Sequence, residues 1–86
     1  MSARTLTVLY FAWLRERIGE PRESVATEAG TVAELVAELS TREERYALAF
    51  ADLKSVRVAL DQDLADFDAP LDGVREVAFF PPMTGG

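Results

Sequence analysis

Two hydrophobic rhythms run along the chain, and they lay out its elements. From Thr5 to Leu14 the residues are mostly β-branched, aliphatic or aromatic, which predicts a first strand. A period of two puts Leu6, Val8 and Tyr10 on one face and Leu9, Phe11 and Trp13 on the other, so both faces are apolar. Arg15 to Ile18 predicts a short turn or helix, broken by Gly19-Glu20-Pro21. Arg22 to Glu28 predicts a second strand, hairpinned to the first, whose polarity suits a sheet edge. The rhythm then turns helical. Thr31-Val32-Ala33-Glu34 has capping-box spacing, and Val32, Leu35, Val36 and Leu39 follow at i, i+3, i+4, i+7. Thr41-Arg42-Glu43-Glu44 repeats the capping pattern ahead of Tyr46, Ala49, Phe50 and Leu53, which predicts a second, shorter helix. Alternation returns from Val56 to Leu60, with Val56, Val58 and Leu60 on one face. Asp61-Gln62-Asp63 is a turn, Leu64 to Phe67 a brief pairing segment, and Asp68 to Gly73 a loop. Arg75 to Phe80 is the last strand, with Val77 and Phe79 facing away from Ala78 and Phe80.

An early hairpin, two helices and late strands predict a small α+β domain over residues 1–82, followed by an extended tail at 83–86. The helices suffice for one face of such a sheet. If Val8, Tyr10, Val77 and Phe79 face them, parity places Phe11 and Phe80 on the open face, where Leu64 can join them. That face is either an exposed docking surface or a second buried face covered by loops.

Composition removes most chemistry. The chain has no histidine and no cysteine. A Cys/His or Ser–His–Asp catalytic group, a Cys/His zinc site and a side-chain persulfide are therefore all excluded. Disulfides are impossible, which fits a cytoplasmic location. The Asp61, Asp63, Asp66, Asp68 run resembles the start of a calcium loop, but Ala65 occupies a ligand position and the glycine and distal glutamate are out of register. It reads as a solvated turn, and no metal is expected. The formal net charge of −6 argues against nucleic acid as partner and favours a protein with a basic surface. No apolar run approaches membrane-spanning length.

The remaining candidate is the end of the sequence. Pro81 and Pro82 cannot donate to a ladder, so pairing is expected to stop there and continue as a stiff stem. Met83, Thr84, Gly85 and Gly86 then extend for roughly 13 Å. Gly85 and Gly86 carry no Cβ and can enter a narrow channel. With Gly86 last, its α-carboxylate is the only reactive group at the tip. Activation as an acyl-adenylate and attack by sulfide would convert it to a thiocarboxylate, a covalent carrier that needs no cysteine.

Several stretches resemble the small subunit of molybdopterin synthase, the MoaD family within the ubiquitin-like MoaD/ThiS group. Val8-Leu9-Tyr10-Phe11-Ala12-Trp13-Leu14-Arg15-Glu16 is similar to that family's first strand and "FA..RE" turn. Glu76-Val77-Ala78-Phe79-Phe80-Pro81-Pro82-Met83-Thr84-Gly85-Gly86 is similar to its "EVAFFPPVSGG" terminus, and Tyr46-Ala47-Leu48-Ala49 to a helical segment absent from thiazole-type carriers. The resemblance implies a β-grasp fold. It implies adenylation of Gly86 by a MoeB-type enzyme that uses ATP, sulfur from a donor protein, and tail insertion into a MoaE-type large subunit within a heterotetramer. There sulfur would pass to cyclic pyranopterin monophosphate; no cofactor is implied for this chain itself. It also implies partner binding through Phe11, Leu64 and Phe80, beside Pro81 and Pro82. Two departures stand out: Asp61 replaces a frequent asparagine, and Asp72-Gly73-Val74-Arg75-Glu76-Val77 carries one residue more than "DGDEV". A carrier for thiazole synthesis, a lysine-conjugated modifier and a binding module with an inert tail are the rival readings.

Overall fold

The computed structural model describes residues 4–82. In chain order the elements are β1 (Arg4–Tyr10), α1 (Ala12–Ile18), β2 (Arg22–Thr27), α2 (Val32–Arg42), α3 (Glu44–Ala49), a 3-10 turn (Leu53–Ser55), β3 (Arg57–Leu60), β4 (Asp63–Ala65) and β5 (Glu76–Phe80). The strands form one five-stranded sheet in the order β2-β1-β5-β3-β4. β1 and β5, first and last in sequence, run parallel side by side, and every other pairing is antiparallel. This is the β-grasp arrangement, a mixed sheet with the helices packed on one face. The more polar β2 lies at an edge, where polarity is tolerated.

Alternation decides which face is covered. Leu6, Val8 and Tyr10 from β1, Val77 and Phe79 from β5 and Val58 from β3 are all buried, together with Leu35, Leu39, Tyr46 and Ala49 from the helices. Phe79 is the hub of this layer. Its ring stacks on Tyr10 with centroids 6.2 Å apart and meets Phe50 edge-on at 4.9 Å. The strand that leads into the tail is thus anchored through one of the most deeply buried side chains in the domain.

The structure corrects the sequence reading in two places. The first strand ends at Tyr10, not at Leu14. Ala12 takes a positive φ of 56°, the chain turns, and α1 begins. Trp13 therefore does not share the face of Leu9; it sits half-buried on α1, packed against the core. The cause is a double meaning in the pattern. Leu14 and Ile18, both buried, are spaced i, i+4 and form a helical stripe, while their neighbours also satisfy strand alternation. Gly19 at φ 90° closes the helix, its N–H donating to the Arg15 carbonyl at 2.7 Å. The second correction concerns Thr41, which caps nothing. α2 continues through it, and its hydroxyl donates back to the Glu38 carbonyl at 2.8 Å, an alternative open to any hydroxyl in a last turn. Extended Glu43 then separates α2 from α3. Thr31 does cap α2, accepting from the Glu34 N–H at 3.2 Å, while the Glu34 carboxylate accepts from Gly30 N–H at 2.7 Å.

A polar knot ties the helices to the hairpin. Tyr10 Oη and Tyr46 Oη each donate to Glu23 Oε2 at 2.7 Å, linking β1, α3 and β2. The Arg45 guanidinium lies 4.9 Å from the Tyr46 ring centre and donates to the Ile18 carbonyl. Burial, followed by the hydrogen bond to Glu23, pushes the Tyr46 hydroxyl up to about 12, and the same causes raise Tyr10 further. An unfolded tyrosine ionises near 10. A raised folded value contributes stability that is complete below about 10 and is lost as pH rises through the folded value. These are the only two tyrosines in the chain. The melting temperature is expected to fall steeply above about pH 10 and to fall less steeply in Tyr10→Phe/Tyr46→Phe, as followed by circular dichroism.

Candidate functional site

The face opposite the helices is assembled by register. Leu9 on β1 lies opposite Arg22 on β2 and Ala78 on β5, Ala78 opposite Ala59 on β3, and Ala59 opposite Leu64 on β4. One row of the open face thus crosses all the strands as Arg22, Leu9, Ala78, Ala59, Leu64. The next pair toward the tail is Arg57 with Phe80. Leu64 is 77% exposed and Phe11 is 45% exposed, whereas Leu9 and Phe80 are half-buried. Phe11 is still extended, and its N–H donates to the Phe79 carbonyl at 3.1 Å, so it prolongs β1 along the last strand. By parity its ring follows Leu9 onto the open side. Toward the other end the same face turns polar, with Thr7, Ser24 and Glu76.

The structure therefore brings Phe11, Leu64 and Phe80 onto one apolar face, and no loop covers Leu64. Strand pairing ends at Phe80, and Pro81 and Pro82 follow it half-buried outside the sheet. Met83, Thr84, Gly85 and Gly86 lie outside the described residues. Alternation alone sets Leu9 on the side of Phe11. Arg22 and Arg57 share that face but were not nominated from the sequence; only the register between strands places them there, and no local pattern encodes it.

Asp61 explains one departure from the family pattern. With Gln62 it takes positive φ, 49° and 76°, at the β3–β4 turn. Its Oδ1 accepts from the Arg75 and Glu76 N–H groups at 3.0 and 2.9 Å, which holds the start of β5. A short side chain tolerant of left-handed backbone is required, and asparagine meets the same requirement.

On the helix side, Leu48 is 57% exposed beside a groove of about 410 Å³ lined by Trp13, Arg17, Ala51, Asp52 and Ser55. Arg17 lies over Trp13 at 5.2 Å, a surface cation–π pair. Among the described residues there is no cluster of acidic side chains that could hold a metal, and no helix long and apolar enough to cross a membrane.

A β-grasp domain whose open, apolar sheet face adjoins the root of its C-terminal stem is of the ubiquitin-like class. Within that class, the ThiS family model matches residues 8–86, and the chain belongs to this family. A molybdopterin synthase sulfur carrier subunit from Escherichia coli (strain K12) is 43% identical over 81 residues, covering 94% of this chain and 99% of the relative. SAMP1 from Haloferax volcanii shares the fold, with a TM-score of 0.72 at 20% identity over 96% of this chain and all of that one. A chain in the complex of subunits 1 and 2 of the molybdopterin-converting factor from Helicobacter pylori 26695 matches with a TM-score of 0.58 at 27% identity, over 96% of this chain and all of that one.

Proposed function

We propose that this chain is the sulfur-carrier small subunit of a molybdopterin synthase. The observation that carries the reading is the 43% identity to a sulfur carrier subunit over nearly the whole length of both chains. The family match running through Gly86 supports it further. The open face supplies a physical basis: Phe11, Leu64 and Phe80 form an apolar contact surface at the base of the stem, so a partner that covers it receives the tail.

The chemistry then belongs to Gly86 and to the partners. One carboxylate oxygen attacks the α-phosphorus of ATP in a MoeB-type enzyme, and pyrophosphate leaves. Hydrosulfide released by a sulfur donor attacks the acyl carbon, and AMP leaves, giving –COSH. In a MoaE-type large subunit that sulfur attacks an electrophilic carbon of cyclic pyranopterin monophosphate, the carbon–oxygen bond there gives up its electron pair to oxygen, and a thioester to the tail forms. Water then cleaves the acyl–sulfur bond and restores the carboxylate. The part of the domain in this reading is to bind the partner and aim the tail. Intact mass after incubation with ATP, activating enzyme and sulfur donor is expected to rise by ~16 Da as oxygen is replaced by sulfur. A mass that stays constant while the same enzyme thiolates a known carrier would refute the proposal.

A further inference from the structure

The charge of the open face is opposite to that of the chain. The whole molecule carries −6, yet the charged residues on the described strands of this face are Arg22, Arg57 and Glu76. Glu76 stands at the polar end, beside Thr7. The two arginines stand at the apolar end, Arg22 at the β2 edge of the patch and Arg57 at its tail-ward border. Arg22 is cross-strand from Leu9 on the edge strand, and Arg57 is cross-strand from Phe80 at the root of the stem. Both are exposed. Neither has a carboxylate partner among the described residues, where the one ion pair joins Arg45 to Glu43. Arg57 makes only long contacts, to the Val56 and Lys54 carbonyls at 3.3 and 3.5 Å. Three strand spacings, about 14 Å, separate β2 from β3 across the sheet.

We infer that Arg22 and Arg57 are specificity-determining residues of this face, and that the protein docking there presents an apolar surface flanked by two carboxylates. The inference rests on the carrier reading, and the partner it describes is the large subunit. It reverses what net charge suggests, a basic partner. Two exposed arginines beside an apolar patch set orientation and encounter rate, because attraction acts before contact and a partner bearing lysines in those places is repelled. Arginine suits the role, since its planar fork pairs with a carboxylate bidentately.

The test is the association kinetics of the full-length chain with the large subunit of the same organism, measured across ionic strength. Arg22→Glu/Arg57→Glu should slow association about tenfold or more at low salt, and the gap should close as salt rises and the screening length shortens. Unchanged melting temperature would establish that the variant is folded. Leu64→Ala serves as the apolar control, since it removes contact area without adding charge, and should weaken binding at every salt concentration. An association rate and salt slope equal to those of the parent, with Leu64→Ala still disruptive, would overturn the inference while leaving the carrier reading intact. If neither variant alters binding, the face is not the interface and the inference falls, while the carrier reading is decided by the mass test.

Discussion

Deleting Gly86 is expected to leave the fold untouched and to abolish sulfur transfer. The shortened chain still ends in a glycine carboxylate, so its chemistry at the tip is the same. What changes is reach, by about 3.5 Å. A carboxylate withdrawn that far from a bound nucleotide is no longer in line with the α-phosphorus, and even a 1 Å misplacement of a reacting group can cost about a hundredfold. Adenylation, read as ATP–pyrophosphate exchange, should therefore drop by at least about two orders of magnitude, while the melting temperature stays that of the parent. Phe79, buried against Tyr10 and Phe50, locks the last strand into the domain. Exchange that continued at the parental rate would show that the enzyme follows the stem instead of holding the terminus at a fixed depth.

Phe79 and Phe80 are expected to separate stability from binding, although they are neighbours in sequence. Phe79 is fully buried between Tyr10 and Phe50. Phe79→Ala opens a cavity in the aromatic layer and should cost about 3–5 kcal/mol, a large share of the roughly 5–15 kcal/mol that holds a domain of this kind together. It would appear as a much lower urea midpoint. Phe80 faces the other way, half-buried beside Arg57, outside the core. Phe80→Asp should change the urea midpoint little and weaken large-subunit binding by about a hundredfold, as loss of a central aromatic anchor does. Equal loss of stability in the two variants would mean that Phe80 is part of the core after all.

The two faces were legible because β-strand alternation is a short-range signal. Leu6, Val8 and Tyr10 announce a buried side within a few residues, as do Val77 and Phe79, and the structure buries all of them. α2 was legible for the same reason, with Thr31 at its start and a clean stripe behind it. Two kinds of feature were not. Where two periodicities overlap, as from Trp13 to Ile18, sequence alone cannot choose between strand and helix; the positive φ at Ala12 and the burial of Leu14 against the sheet decide it. The second kind is register. That Arg22 meets Leu9, and that Arg57 meets Phe80, follows from which strands pair and by how much they are offset. Those choices belong to the assembled sheet. Phe11 and Phe80 could be named from parity, but the charges that border them could not.

The last strand is inserted at the middle of the sheet, hydrogen-bonded to the first strand on one side and to β3 on the other. Without β5 the pairs β2-β1 and β3-β4 share no ladder, so Leu9 and Leu64 belong to one face only once the last strand is seated between them. The apolar face is thus a property of the completed sheet and of neither half alone.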